Sequence, residues 1–160
     1  MILYHGSLEI VENPEIRIPN RPLDYGSGFY TTTSSNQAKD WVKRKLNLNI
    51  QVGYVNVYQL DEDLIKNLKI LLFSSPSEEW VDFVMKNRTD KNFFHEFDVV
   101  YGPVANDKVY AAFALYEGGI ISKQTLISEL KAYTLVDQYL FHTEKSLKAI
   151  KFIEAKEVRL

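Results

Sequence analysis

Apolar residues fall in short runs along this chain, some alternating with polar positions as in a half-buried strand and some spaced as on one face of a helix. The first run predicts a strand over 2–6. An irregular stretch to about residue 25 follows, carrying Pro14, Pro19 and Pro22. Asp24-Tyr25-Gly26-Ser27-Gly28 reads as a turn that feeds a strand over 29–32. Ser34 then has the position of an N-cap, with Gln37 three residues on to complete a capping box. Ala38, Trp41, Val42 and Leu46 mark the buried face of the helix it opens. Residues 51–60 alternate as a strand, and 69–73 form a second short apolar run. Ser75-Pro76-Ser77-Glu78 predicts a helix start, with Ser75 as cap and Pro76 at the first helical position. Trp80, Phe83 and Val84 form that helix's stripe.

The second half continues in the same manner. Residues 97–101 read as a strand closed by Gly102-Pro103. Asn106 or Asp107 caps a helix to Glu117, which Gly118-Gly119 stops. Ser122 starts a helix with Leu126, Ile127 and Leu130 on one side. Residues 137–142 form a strand, Thr143 caps a short helix to about 150, and 151–158 return as a last strand. The sum is an α+β class of short, mostly antiparallel strands with interspersed helices. Regular βαβ alternation is missing, and no G-x-G-x-x-G follows a strand, which excludes a Rossmann nucleotide site.

Length and composition narrow the class without naming an activity. With 160 residues, no repeat and no linker, one domain over 1–160 is the economical reading. A net charge of -2 gives no overall field for nucleic acid. The one basic cluster, Lys39, Lys43, Arg44 and Lys45, reads as a solvated helix face. Cysteine is absent, which removes disulfides, thiolate nucleophiles and Cys-ligated zinc. No signal peptide or membrane-spanning run is visible, so a cytoplasmic protein is expected.

Familiar catalytic patterns fail one by one. His5, His95 and His142 are widely separated and lack an H-E-x-x-H pattern, so no metal is expected. There is no G-x-S-x-G nucleophile elbow and no P-loop. What remains is Tyr4-His5-Gly6-Ser7 at the start, and Gly28-Phe29-Tyr30-Thr31-Thr32 with Trp41 eleven residues past the tyrosine. A glycine-edged strand ending in one ring, and a helix that brings a second ring back toward it, make a slot for a flat heteroaromatic group such as nicotinamide. Singly, each residue fits a structural role, His5 as a satisfied strand histidine and Tyr30 and Trp41 as core aromatics. Residues 97–107 likewise read as strand, turn and cap, with a cleft-lining loop as the alternative.

Those motifs resemble the first two motifs of the diphtheria-toxin and poly-ADP-ribose-polymerase branch of the ADP-ribosyltransferases, which uses a His-Tyr-Glu triad. Nearly the whole chain is similar to a bacterial family of uncharacterised ADP-ribosyltransferase-like proteins. Leu-Tyr-His-Gly-Ser at 3–7, Leu-Asp-Tyr-Gly-Ser-Gly-Phe-Tyr at 23–30 and Gln-Tyr-Leu-Phe-His-Thr at 138–143 carry the likeness. The resemblance implies split antiparallel sheets with flanking helices and NAD as substrate. It implies that His5 bonds the ribose, that the Gly6 backbone pairs with the nicotinamide carboxamide, and that Tyr30 and Trp41 clamp the ring. Ser7 and Thr31 would add polar contacts.

The third motif departs from the branch. Gln138 stands where glutamate is expected, and it can hold a ribose hydroxyl but supplies neither charge nor base. Asp137 and Glu144 are the nearby carboxylates. Strand alternation turns Asp137 away from Gln138, and Glu144 lies past the strand end. His142 shares a face with Gln138 as a second-tier candidate. A mono-ADP-ribosyltransferase-like protein with the triad His5, Tyr30 and Gln138 is the leading expectation, acting as an effector or as the toxin of a toxin–antitoxin pair. A non-catalytic NAD- or ADP-ribose-binding or protein-interaction module and an NAD glycohydrolase remain open. Neither the acceptor nor an antitoxin partner is legible.

Overall fold

The computed structural model describes residues 1–18, 23–104, 107–132 and 135–160, with 107–110 as backbone only. Strands β1 (Ile2–Ser7), β3 (Val52–Leu60) and β7 (Ile150–Arg159) form one antiparallel sheet in the order β1-β3-β7. Strands β2 (Phe29–Thr31), β6 (Asp137–Phe141), β5 (Val99–Pro103) and β4 (Ile70–Leu72) form a second, in the order β2-β6-β5-β4. Six helices accompany them among the described residues: α1 (Ser35–Lys45), α2 (Glu62–Ile65), α3 (Glu78–Thr89), α4 (Asp107–Glu117), α5 (Lys123–Lys131) and α6 (Glu144–Leu147). This is an α+β fold. The pairing is not wholly antiparallel, because β4 runs parallel to β5. The connection between them contains α3, and a crossover of that kind is what a parallel pair requires.

Both sheets contribute to a shared core of Leu3, Phe29, Tyr58, Val99, Phe141 and Ile150. A second core under the four-stranded sheet joins Tyr25, Trp80, Val84, Phe113, Leu126, Leu130 and Leu140. Helix α1 covers the three-stranded sheet with Ala38, Val42 and Leu46 against Val55 and Val158. A backbone bridge also joins the two sheets: Tyr4 of β1 and Thr32, just past β2, exchange hydrogen bonds of 2.8 and 2.9 Å. Beyond that bridge, residues of both strands line an open cavity.

Local differences from the sequence reading have local causes. Helix α3 starts two residues later than expected. Ser77 rather than Ser75 is the cap, and its hydroxyl accepts from Trp80 N at 3.2 Å. Ser34 caps α1 as expected, accepting from Gln37 N at 3.1 Å. The reciprocal half of the capping box is not made, since the Ser34 amide donates to Thr32 Oγ1 at 3.0 Å. Strand β5 begins at Val99 and includes Gly102 and Pro103. The single turn α2, capped by Asp61, is too short to show a period. Of the two caps proposed for α4, Asn106 lies outside the described residues. Among the described residues no helix is long and apolar enough to cross a membrane.

Candidate functional site

Residues of β1, β2, α1 and β6 line a cavity of about 500 Å³, within the range of small-molecule sites. His5, Gly6, Ser7, Tyr30, Thr31, Trp41 and Gln138 all line it. Four separate elements supply these residues, and the fold brings all seven together.

His5 is fixed in one tautomer. Its Nδ1 lies 2.6 Å from the Tyr30 carbonyl, so Nδ1 carries the proton and Nε2 keeps its lone pair. The ring rests on Phe29 with centroids 4.3 Å apart. Burial lowers its pKa to about 4; the bond to Tyr30 opposes this and the Arg17 guanidinium adds to it. At neutral pH the imidazole is uncharged and Nε2 is an acceptor.

Gly6 is shaped by packing on one side. A Cβ there would collide with the Ala38 carbonyl of α1, so only glycine lets the helix lie this close to the strand. Its backbone follows from strand alternation. Tyr4 turns its N–H and C=O away from β3 toward Thr32, and Gly6, two residues on, turns its own the same way. Past the bridge that edge faces no strand. Gly6 thus presents one donor and one acceptor on the cavity side of β1.

Tyr30 pairs with Leu140, which puts it on the same sheet face as Gln138. Its phenol donates to Gly26 O at 2.6 Å and accepts from Tyr25 N at 3.1 Å. The turn before β2 is gripped on both sides of that bond as well. His95 Nε2 donates to Tyr25 O at 2.9 Å, and His142 Nδ1 donates to Ser27 O at 2.6 Å. Gly28 closes the turn at φ 147°, a conformation that favours glycine. His142 therefore serves the turn and does not line the cavity, contrary to its second-tier candidacy.

Trp41 corrects the sequence reading. It was expected in the buried stripe of α1, yet it is 40% exposed while Ala38 and Val42 are buried. One turn from Ala38, it sits at the edge of that stripe and lines the cavity, with Lys45 Nζ 5.5 Å from its ring centre. A large ring left open beside a cavity is a better binding surface than core residue.

Gln138 is buried, and its Nε2 has no hydrogen-bond partner among the described residues. The Tyr25 phenol, which donates to Pro103 O at 2.8 Å and accepts from Trp80 Nε1 at 2.7 Å, is close enough for the Gln138 amide to favour its ionised form, but the two do not meet in hydrogen-bond geometry. A buried amide donor without a partner is costly unless something in the cavity accepts from it. Asp137, expected to face away, lines the same cavity as the first residue of β6. Its carboxylate accepts from Thr33 N at 2.9 Å, Thr33 Oγ1 at 2.6 Å and Tyr101 Oη at 3.2 Å. Burial and that carboxylate push the Tyr101 phenol up to about 12, so it stays a donor. Glu144 opens α6 and lies outside the cavity lining.

The motif reading gave no site role to four polar residues of the lining, Glu15, Arg17, Asp24 and Gln37. The first two lie in the proline-bearing segment, which has no period to read. Asp24 pairs with Arg88 of α3 at 3.7 Å. Among the described residues no group of three or more His, Cys, Asp or Glu is placed to hold a metal ion.

A search of curated proteins finds no match to the chain. A family model does match, over residues 1–152, and the chain therefore belongs to the family described as "Protein of unknown function (DUF3990)".

Proposed function

We propose that this protein is an NAD-dependent mono-ADP-ribosyltransferase-like protein that seats the nicotinamide end of NAD in the cavity between β1 and β2. One observation carries the reading. His5, the open edge of Gly6, Tyr30, Trp41 and Gln138, the positions that the motif spacing singles out, surround one cavity of suitable size. The groups suit that ligand. The N–H and C=O of Gly6 match the acceptor and donor of a carboxamide. The neutral His5 Nε2 accepts from a ribose hydroxyl, and the open face of Trp41 offers a stacking surface for a cationic ring. The unpartnered Nε2 of Gln138 suits a ribose oxygen.

The chemistry would break the glycosidic bond to nicotinamide and form a bond from the same carbon to an acceptor nucleophile, through an oxocarbenium-like state. The chain's part is to hold the ribose and ring in place and to exclude competing orientations. Gln138 brings no negative charge to that cation. Three carboxylates line the cavity; Asp24 is engaged by Arg88, Asp137 by Thr33 and Tyr101, and Glu15 faces Arg17 at 4.0 Å. This favours, as a second reading, a module that binds NAD or ADP-ribose without transfer.

Incubation with labelled NAD and a cell lysate separates the readings. Label on a macromolecule supports transfer, and free nicotinamide without label supports hydrolysis. Neither, with NAD binding measured directly, supports the binding module. Growth arrest on expression, relieved by His5→Ala, supports a toxin that a partner antitoxin would restrain.

A further inference from the structure

The cavity lining is uneven in charge. Three of its described residues carry carboxylates, Glu15, Asp24 and Asp137, and one carries a permanent positive charge, Arg17. Asp24 is paired with Arg88, Asp137 is bonded to Thr33 and Tyr101, and His5 is neutral. Arg17 itself is only loosely held. Its side chain is 73% exposed, and its ion pair is with Glu15, two residues away, at 4.0 Å. Exposed pairs of that kind contribute little, so the guanidinium is readily given to a better anion.

The segment that carries Arg17 is tied down just upstream. Asn56, fully buried on β3, accepts from Val11 N at 2.9 Å and donates to Glu9 O at 3.1 Å. Tyr58 Oη donates to Val11 O at 2.6 Å. Two polar side chains from the sheet thus hold residues 9–11 and lead the following residues along the cavity. Arg17 and His5 both line the cavity, and the guanidinium helps to keep the imidazole neutral.

We propose that Arg17 is the anchor for the anionic part of the ligand, the diphosphate of a nucleoside diphosphate compound. This rests on the reading of the cavity as an NAD site and extends it to the residue that recognises the phosphates. A guanidinium matches phosphate oxygens bidentately, and ligand binding would exchange the weak Glu15 contact for a charge-assisted pair. Glu15 becomes the repulsive neighbour that the phosphates displace.

Equilibrium binding of NAD, ADP and nicotinamide riboside to the wild type, Arg17→Gln, Arg17→Lys and Glu15→Gln tests this. Arg17→Gln is expected to weaken NAD and ADP about tenfold or more and to leave the riboside, which has no phosphate, unchanged. Arg17→Lys recovers part of the loss, and Glu15→Gln tightens NAD. Wild-type-like NAD affinity in Arg17→Gln, or an equal loss for all three ligands, overturns the assignment while leaving the NAD reading intact. If the wild type binds ADP but not NAD, and Arg17→Gln weakens ADP, the anchor stands and the nicotinamide reading falls. Binding of neither ligand ends both.

Discussion

His95 and His142 lie against each other with ring centroids 4.1 Å apart and planes tilted by 38°, and each holds one carbonyl of the turn that precedes β2. Tyr30 holds the carbonyl between them, so Tyr25, Gly26 and Ser27 each receive a side-chain donor. Asp24 and Gly28 on either side of these residues line the cavity, as does Tyr30, while the two histidines grip the turn from outside the lining. His95 also accepts from Phe97 N at 3.3 Å through Nδ1, so both its nitrogens are committed in the neutral state.

That arrangement predicts a pH dependence. Burial lowers the pKa of His95; the bond to Tyr25 opposes this and the nearby His142 adds to it. His5 is lowered to about 4 from an ordinary 6.5. Between those values the unfolded chain binds protons that the folded one does not, so stability rises with pH across the window. It is fully present above about 6.5 and is lost as pH falls toward 4. For His5 the shift corresponds to at most about 3 kcal/mol, reduced because its ring borders an open cavity. Denaturant titrations from pH 7.5 to 4 are expected to show a falling midpoint below 6.5, with a shallower fall in His5→Ala.

The two tryptophans should respond oppositely. Trp80 is fully buried and donates to Tyr25, so Trp80→Ala is expected to cost about 3–5 kcal/mol of stability. Trp41→Ala removes an exposed ring and should cost less than about 1 kcal/mol while weakening NAD binding strongly. Thermal melts beside binding isotherms check both. A large loss of stability in Trp41→Ala would return it to the core.

Gly6→Ala is expected to destabilise by about 1–3 kcal/mol, because the new methyl meets the backbone of α1 at Ala38, which no rotamer can move aside. Chemical denaturation measures it. An unchanged midpoint would mean that α1 shifts freely on β1.

If the protein transfers ADP-ribose as proposed, Gln138→Glu should raise turnover by placing a carboxylate beside the developing cation, at a cost in stability from burying it. Steady-state assays with NAD decide the point. An unaltered rate removes Gln138 from the catalytic account.

Much of the fold could be read from local chemistry. Ser34, Ser122 and Thr143 cap helices where side-chain oxygens precede helical spacing, and Gly28 marks the turn it makes. The convergence of His5, Tyr30, Trp41 and Gln138 was legible only as a joint motif. Ser77 displaced Ser75 because both fit a cap and the packing of Trp80 chooses between them. The parallel pairing of β4 with β5, the contact of His95 with His142 and the grip of Asn56 on residues 9–11 are long-range, and no spacing encodes them. Arg17 was missed for the same reason: its segment has no period, and its place beside the cavity comes from Asn56 and Tyr58.

Calorimetric titration of the wild type with NAD, repeated on Trp41→Ala, reaches the main claim most directly. Saturable binding to one site per chain, lost or greatly weakened when the indole is removed, is the predicted result. No heat of binding at millimolar NAD, or an isotherm indifferent to Trp41, would contradict it.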